Sequence, residues 1–242
     1  MKKNMLILAV AVFFVGCSES NKNQKFLGLK GNPKSIKETK YDAFEKFGEV
    51  IEDDIDEVVL YEFDKTGNFQ KIVCYDGDGD MKYSITNIFK NGECIESKFY
   101  QKYNDVTSTS NLKNRTSKSE TWERKTSDGK ITTSYSEFDK LKTTIITKDS
   151  EDNVVSKEEQ TKDNKGNIIE FKVYNGEDVA YWYKSAFDDK SQEIEKKILA
   201  GGYDEGIYTY KYDSFDKKGN WIKKIEYKDG EIESLAIREI KY

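Results

Sequence analysis

A single turn, written three times, limits what this chain can fold into. Phe63-Asp64-Lys65-Thr66-Gly67-Asn68-Phe69 recurs as Phe215-Asp216-Lys217-Lys218-Gly219-Asn220-Trp221, and in reduced form as Lys162-Asp163-Asn164-Lys165-Gly166-Asn167-Ile168. Recurrence on this scale marks one supersecondary unit used repeatedly. In each copy the Asp carboxylate can accept a backbone N–H two residues on, and the next two residues suit a type I turn. Gly then supplies the left-handed residue that closes a three-residue hairpin loop with a bulge. The predicted turn residues are therefore Asp64, Gly67 and Asn68, then Asp163, Gly166 and Asn167, then Asp216, Gly219 and Asn220. Such loops also fix register, setting Phe63 opposite Phe69, Phe215 opposite Trp221 and Asp216 opposite Asn220. Each aromatic cross-strand pair adds ~0.2–1 kcal/mol.

Weaker turn signals stand at Phe89-Lys90-Asn91-Gly92, Ser127-Asp128-Gly129, Asp152-Asn153, Tyr174-Asn175-Gly176, Phe187-Asp188-Asp189 and Tyr227-Lys228-Asp229-Gly230. Alternation between turns predicts strands. Phe69, Lys71, Val73 and Tyr75 share one side and Gln70, Ile72 and Cys74 the other; Tyr208, Tyr210 and Tyr212 oppose Ile207, Thr209 and Lys211. Both sides are mixed, unlike a sheet that buries one face cleanly. The expected fold is all-β: an extended, curved antiparallel meander of repeated hairpins, with no helix after the N-terminal signal. Residues 104–160, rich in Ser, Thr and Lys, are expected to form exposed strands joined by longer polar loops.

The N-terminus carries an address. Lys2 and Lys3 precede an apolar run over residues 5–15, which ends in Gly16-Cys17-Ser18. A basic start, a run too short to span a bilayer and small residues at its end predict a cleaved export signal. With Cys17 after the expected cut, the segment resembles a bacterial lipoprotein signal, which implies an acylated Cys17 as the mature N-terminus. Buried acyl methylenes are worth ~0.8 kcal/mol each, so two or more chains anchor stably. Ser18 in the following position implies the outer membrane or cell surface rather than the inner membrane. The expected organisation is a signal over residues 1–16, a lipidated N-terminus and polar tether over 17–28, and one β-repeat domain over 29–242. Residues 18–26, at ~3.3 Å each, would lift that domain roughly 30 Å from the bilayer.

Composition excludes several functions. The chain holds 40 basic and 45 acidic residues, and losing Lys2 and Lys3 with the signal deepens its net charge of −5. Its only arginines are Arg115, Arg124 and Arg238. Clustered cations supply most phosphate affinity, so no nucleic-acid partner is expected. Histidine is absent, which removes Ser-His, Cys-His and His-ligated metal chemistry. Two carboxylates could run a glycosidase without it, yet none of the acidic residues stands apart. No enzyme, cofactor or metal is expected. Asp76-Gly77-Asp78-Gly79-Asp80 suggests a calcium loop, but Met81 stands where Gly is needed and Asn87 where Glu should chelate. It reads better as an acidic turn, with a weak surface calcium site as the alternative.

Cys74 and Cys94 invite a disulfide in an exported chain. In a meander another strand separates theirs, and two spacings of ~4.8 Å exceed the ~7 Å Cα limit, so thiols are expected. Tyr181-Trp182-Tyr183, the row Tyr208, Tyr210 and Tyr212, and Trp221 could stack sugars; packing is the expected role.

The turns also resemble the YD repeats of the RHS family, through Phe63-Asp64…Gly67-Asn68, Asp163…Gly166-Asn167 and Phe215-Asp216…Gly219-Asn220. The opening Leu29-Lys30-Gly31-Asn32-Pro33-Lys34-Ser35-Ile36, with Glu38 and Tyr41, is similar to envelope lipoproteins carrying such repeats. The resemblance implies β-sheet architecture and ligand or carbohydrate contact. Together these readings predict a membrane-anchored, non-catalytic binding or structural module whose partners are the membrane and an envelope protein or glycan. The alternatives are a carbohydrate-binding or carbohydrate-active protein, and an inhibitor or immunity-type partner of an envelope protein.

Overall fold

The structure, a computed structural model, describes residues 27–242. Cys17 and the tether up to Phe26 lie outside the described residues. Sixteen strands follow one another among those described: β1 (Ser35–Lys46), β2 (Glu49–Phe63), β3 (Phe69–Asp76), β4 (Met81–Lys90), β5 (Glu93–Gln101), β6 (Val106–Arg115), β7 (Ser119–Thr126), β8 (Ile131–Asp139), β9 (Lys142–Asp149), β10 (Val154–Lys162), β11 (Ile168–Asn175), β12 (Asp178–Phe187), β13 (Glu193–Ala200), β14 (Tyr203–Phe215), β15 (Trp221–Lys228) and β16 (Glu231–Lys241). No helix occurs among the described residues.

Each strand pairs antiparallel with its neighbours in sequence, and the sheet then closes on itself. β1 pairs β16 from Ser35 opposite Lys241 to Asp42 opposite Ser234. This corrects the expected open meander. An open sheet would leave two edges of unpaired N–H and C=O groups, and closure removes both. Closure likewise overturns the resemblance to YD repeats: the shared turn is the reversal common to hairpins, and the architecture built on it is a barrel. The polar stretch over residues 104–160 also departs from expectation. It forms β6 to β10 with short turns, because Ser108, Ser110, Ser136 and Thr143 are buried in the wall.

The three turns share one geometry. Asp64 N–H donates to Asn68 O at 2.9 Å and Gly67 N–H to Asp64 O at 3.0 Å, and the same two bonds recur from Asp163 and Gly166 and from Asp216 and Gly219. Gly67, Gly166 and Gly219 have φ of 88°, 92° and 80°. Register pairs Phe63 with Phe69 and Phe215 with Trp221. At Gly219 a β-branched side chain would enter the left-handed region at a cost of about 1–3 kcal/mol. Gly219→Val is therefore expected to lower the unfolding free energy in urea by that amount, and an unchanged value would contradict the turn.

One residue past each turn the register slips. Glu62 faces Lys71 while Phe63 faces Phe69, so Gln70 is extra. This β-bulge flips Phe69 to the opposite side from Lys71, Val73 and Tyr75, correcting the simple alternation expected there. Phe69 thus joins Phe63, stacked at 5.2 Å, in an interior cluster with Ile36, Val59, Ile72, Cys74, Ile85 and Phe99. Leu27 and Leu29, upstream of β1, pack against it. Cys74 on β3 and Cys94 on β5 are buried thiols with β4 between them.

The segment before β1, the end of β16, the three strong turns and the β12–β13 turn lie at the same mouth of the barrel. The backbone of Lys30 is held there by Asn220, whose Oδ1 accepts Lys30 N–H at 2.7 Å and whose Nδ2 donates to Lys30 O at 3.0 Å. Nδ2 also donates to Tyr242 Oη at 2.7 Å, and Tyr242 O–H donates to Asp216.

Candidate functional site in the inner wall

Strand pairing divides the wall into two faces. Ile36, Tyr61, Ile72, Ile85, Phe99 and Ser108 lie side by side on adjacent strands. Four of these are core residues and Ser108 is buried, so this face is the inside. Following the register around the ring puts Glu38, Lys40, Arg124, Glu158, Gln160, Lys196, Tyr210, Tyr212, Lys224, Glu226 and Arg238 on it as well. Closed barrels of about 16–18 strands are wide enough to enclose an aqueous channel, and many of these side chains retain partial exposure.

The outer face is charged over β5 to β14. Lys98 pairs Glu96 at 3.3 Å, Lys157 pairs Glu159 at 2.6 Å and Lys172 pairs Glu170 at 3.2 Å. Tyr174 donates to Glu159 at 2.8 Å and Trp182 Nε1 donates to Glu170 at 2.9 Å. Over β15, β16, β1, β2 and β3 the outer face turns apolar, with Ile225, Leu235 and Val73 buried.

The densest polar cluster spans β14, β15, β16 and β1. Arg238 Nε donates to Glu38 Oε2 at 2.7 Å, and its guanidinium carbon sits 3.5 Å from the centre of the Trp221 ring. Lys224 Nζ lies 5.3 Å from that ring and 5.0 Å from Tyr210. Lys40 Nζ reaches Glu226 Oε1 at 3.5 Å, and Ser234 Oγ donates to the same oxygen at 3.2 Å. Burial acts to raise the Glu38 carboxyl, but the charges of Arg238 and Lys224 outweigh it and hold it below its usual range. Burial pulls the Lys224 ammonium down despite Glu38 and Glu226. The phenols of Tyr210 and Tyr212 are raised by burial and then by the charge of Glu193.

Across the ring, β10 carries a different arrangement. Glu158 and Gln160 are 6% and 2% exposed, between Ile145 and Thr143 on β9 and Val173 and Phe171 on β11. Glu158 Oε2 and both amide atoms of Gln160 have no hydrogen-bond partner. Burial alone pushes the Glu158 carboxyl up to about 7.

The nine residues of the strong turns stand at the mouth where β1 starts and β16 ends, outside this cluster. The aromatic triplet divides, with Tyr181 and Tyr183 packing against Phe171 inside and Trp182 facing out. Neither a sealed core nor an open stacking platform describes the tyrosine rows. Lys228, Lys224 and Lys196 sit 5.5, 5.0 and 5.0 Å over the rings of Tyr208, Tyr210 and Tyr183. The acidic segment closes the β3–β4 turn, where Asp76 Oδ1 accepts Asp80 N–H at 2.8 Å and Asp80 pairs Lys102 at 2.6 Å. Sequence reasoning missed Glu38, Lys40, Glu158, Gln160, Lys224, Glu226 and Arg238. The available signal was Arg238 itself, a rare arginine inside the apolar run Leu235-Ala236-Ile237 to Ile240.

The chain matches no protein-family model and no curated protein. Among solved structures it is similar to a porin-like protein from Bacteroides uniformis, at 10% sequence identity and a TM-score of 0.49, over 86% of this chain and 96% of that one.

Proposed function

We propose that this is an exported, non-catalytic binding barrel, tethered to an envelope membrane by an acylated Cys17 and standing in water, with its inner wall as the binding face. The observation that carries this reading is the charged outer face over β5 to β14. Lys98, Lys157, Lys172 and Glu170 point outward from mid-strand, and each Lys at a bilayer midplane would cost about 2–4 kcal/mol. Inside, Glu158 and Arg238 are buried with one unpartnered atom each, which a packed core avoids. The terminal mouth would face the lipid, because the tether enters there.

Replacing residues 1–17 by an ordinary cleavable secretory signal tests the tether against a membrane-embedded wall. The wild type is expected to incorporate labelled fatty acid and sediment with membranes, and the replaced chain to be a β-rich, detergent-free soluble protein. A replaced chain that still fractionates with membranes would overturn the proposal.

A further inference from the structure

We propose that Arg238 and Lys224 form a binding site for a small carboxylate on the inner wall. Arg238 is 8% exposed, and its Nη1 is buried without a hydrogen-bond partner. Its Nε is already committed to Glu38 Oε2, and stacking on Trp221 fixes the guanidinium plane. A buried N–H edge left unsatisfied on a permanent cation is costly. The orientation is thus held by other contacts while Nη1 is left without an acceptor, as a preorganised receptor for an acceptor oxygen requires.

The ion pairs around the site give the sign of the ligand. Glu38 is matched by Arg238, Glu226 by Lys40 at 3.5 Å and Glu193 by Lys196 at 3.0 Å. Lys224, on the same Trp221 ring as the guanidinium, makes no ion pair among the described residues. Lys40 also reaches Asp56 Oδ2 at 3.9 Å, so the carboxylates of the cluster are shared among its other cations, and the unpaired Lys224 ammonium beside the Arg238 guanidinium calls for an anionic oxygen. A planar carboxylate suits the in-plane guanidinium edge, with its second oxygen toward the Lys224 ammonium. Glu38 and Glu226, close beside the site, repel a second negative charge on the ligand. Tyr210 and Tyr212, both part-exposed inside, supply the walls beside the site.

This deepens the reading of the inner wall as the binding face, and it is separable from the tether, since fractionation reads one and titration the other. Intact protein is titrated with sodium acetate against sodium chloride and sodium sulfate at matched ionic strength, following thermal midpoint and tryptophan emission. Acetate is expected to raise the midpoint and shift emission saturably, chloride to do neither, and sulfate to act more weakly than acetate. Lys224→Met keeps the apolar stem and the Glu38–Arg238 pair, and is expected to weaken acetate about tenfold, as loss of one charge-assisted hydrogen bond should. Arg238→Lys keeps the charge but loses the second donor edge, with a similar loss; if it does not fold, Lys224→Met decides alone. A response equal to that of chloride, a tighter response to sulfate, or undiminished acetate binding by Lys224→Met overturns the site.

Discussion

Glu158→Gln is expected to leave stability unchanged near pH 4 and to raise it by roughly 3 kcal/mol near pH 8. Burial places the Glu158 carboxyl at about 7, against an ordinary value of 4.5. The folded state therefore binds a proton more tightly than the unfolded state does. A raised carboxyl contributes its full share of stability below about 4.5, loses it progressively as pH rises, and has lost it once pH passes about 7. Gln has nothing to ionise, so the variant lacks this loss. The window is distinct from acid unfolding. Glu38 is depressed by Arg238 and Lys224 against the opposing effect of burial, Asp64 and Asp163 by the hydrogen bonds of their turns, and Asp216 by that of the Tyr242 hydroxyl and then those of its turn, again against burial. Those groups contribute stability above their unfolded values and lose it as pH falls. Urea unfolding of wild type and variant at the two pH values measures the difference directly. A gap that does not change with pH would mean that Glu158 reaches solvent or a partner when ionised.

The reversals were legible because their chemistry is local. Asp64, Gly67 and Asn68 lie within five residues, and each bond closing the turn is made by one of them. Closure was not legible, since it joins Ser35 to Lys241 across nearly the whole chain and depends on twist and bulges accumulated over every strand between. The bulge at Gln70 shows the local form of that difficulty. Strict alternation assigns Phe69 to the side of Lys71, and a single extra residue reverses the assignment. The candidate site was hidden for a third reason. Interior positions in a wide barrel need not be apolar, so Ser108, Ser110, Glu158 and Gln160 inside look no different in sequence from Thr109, Glu159 and Thr161 outside. Mixed faces signalled curvature, but nothing in the pattern said which mixed face pointed inward. Only the register, carried around the ring to Arg238 and Glu38, decides it.

Asn220→Ala is expected to cost about 3 kcal/mol, whereas Asn68→Ala and Asn167→Ala cost about 1 kcal/mol each. All three asparagines follow the turn glycine and face the turn aspartate. Asn68 Nδ2 reaches Asp64 Oδ2 at 3.3 Å and Asn167 Nδ2 reaches Asp163 Oδ2 at 2.8 Å, so in these copies the amide mainly serves its own loop. Asn220 does the same at 3.2 Å but also holds both backbone groups of Lys30 and the Tyr242 hydroxyl. It is 2% exposed, so truncation leaves partners without water to replace the amide. The third copy has thus become a clasp, joining the segment before β1, the last residue of the chain and the β14–β15 turn. Losing the clasp should free residues 27–34, including Leu27 and Leu29, which pack on the interior cluster at this mouth. Two measurements follow. Urea midpoints should rank Asn220→Ala well below the other two variants, and limited proteolysis should cut within residues 27–34 only in Asn220→Ala. Equal midpoints for the three variants, with equal resistance at that segment, would show that the copies are interchangeable turns and that Lys30 is held by something other than Asn220.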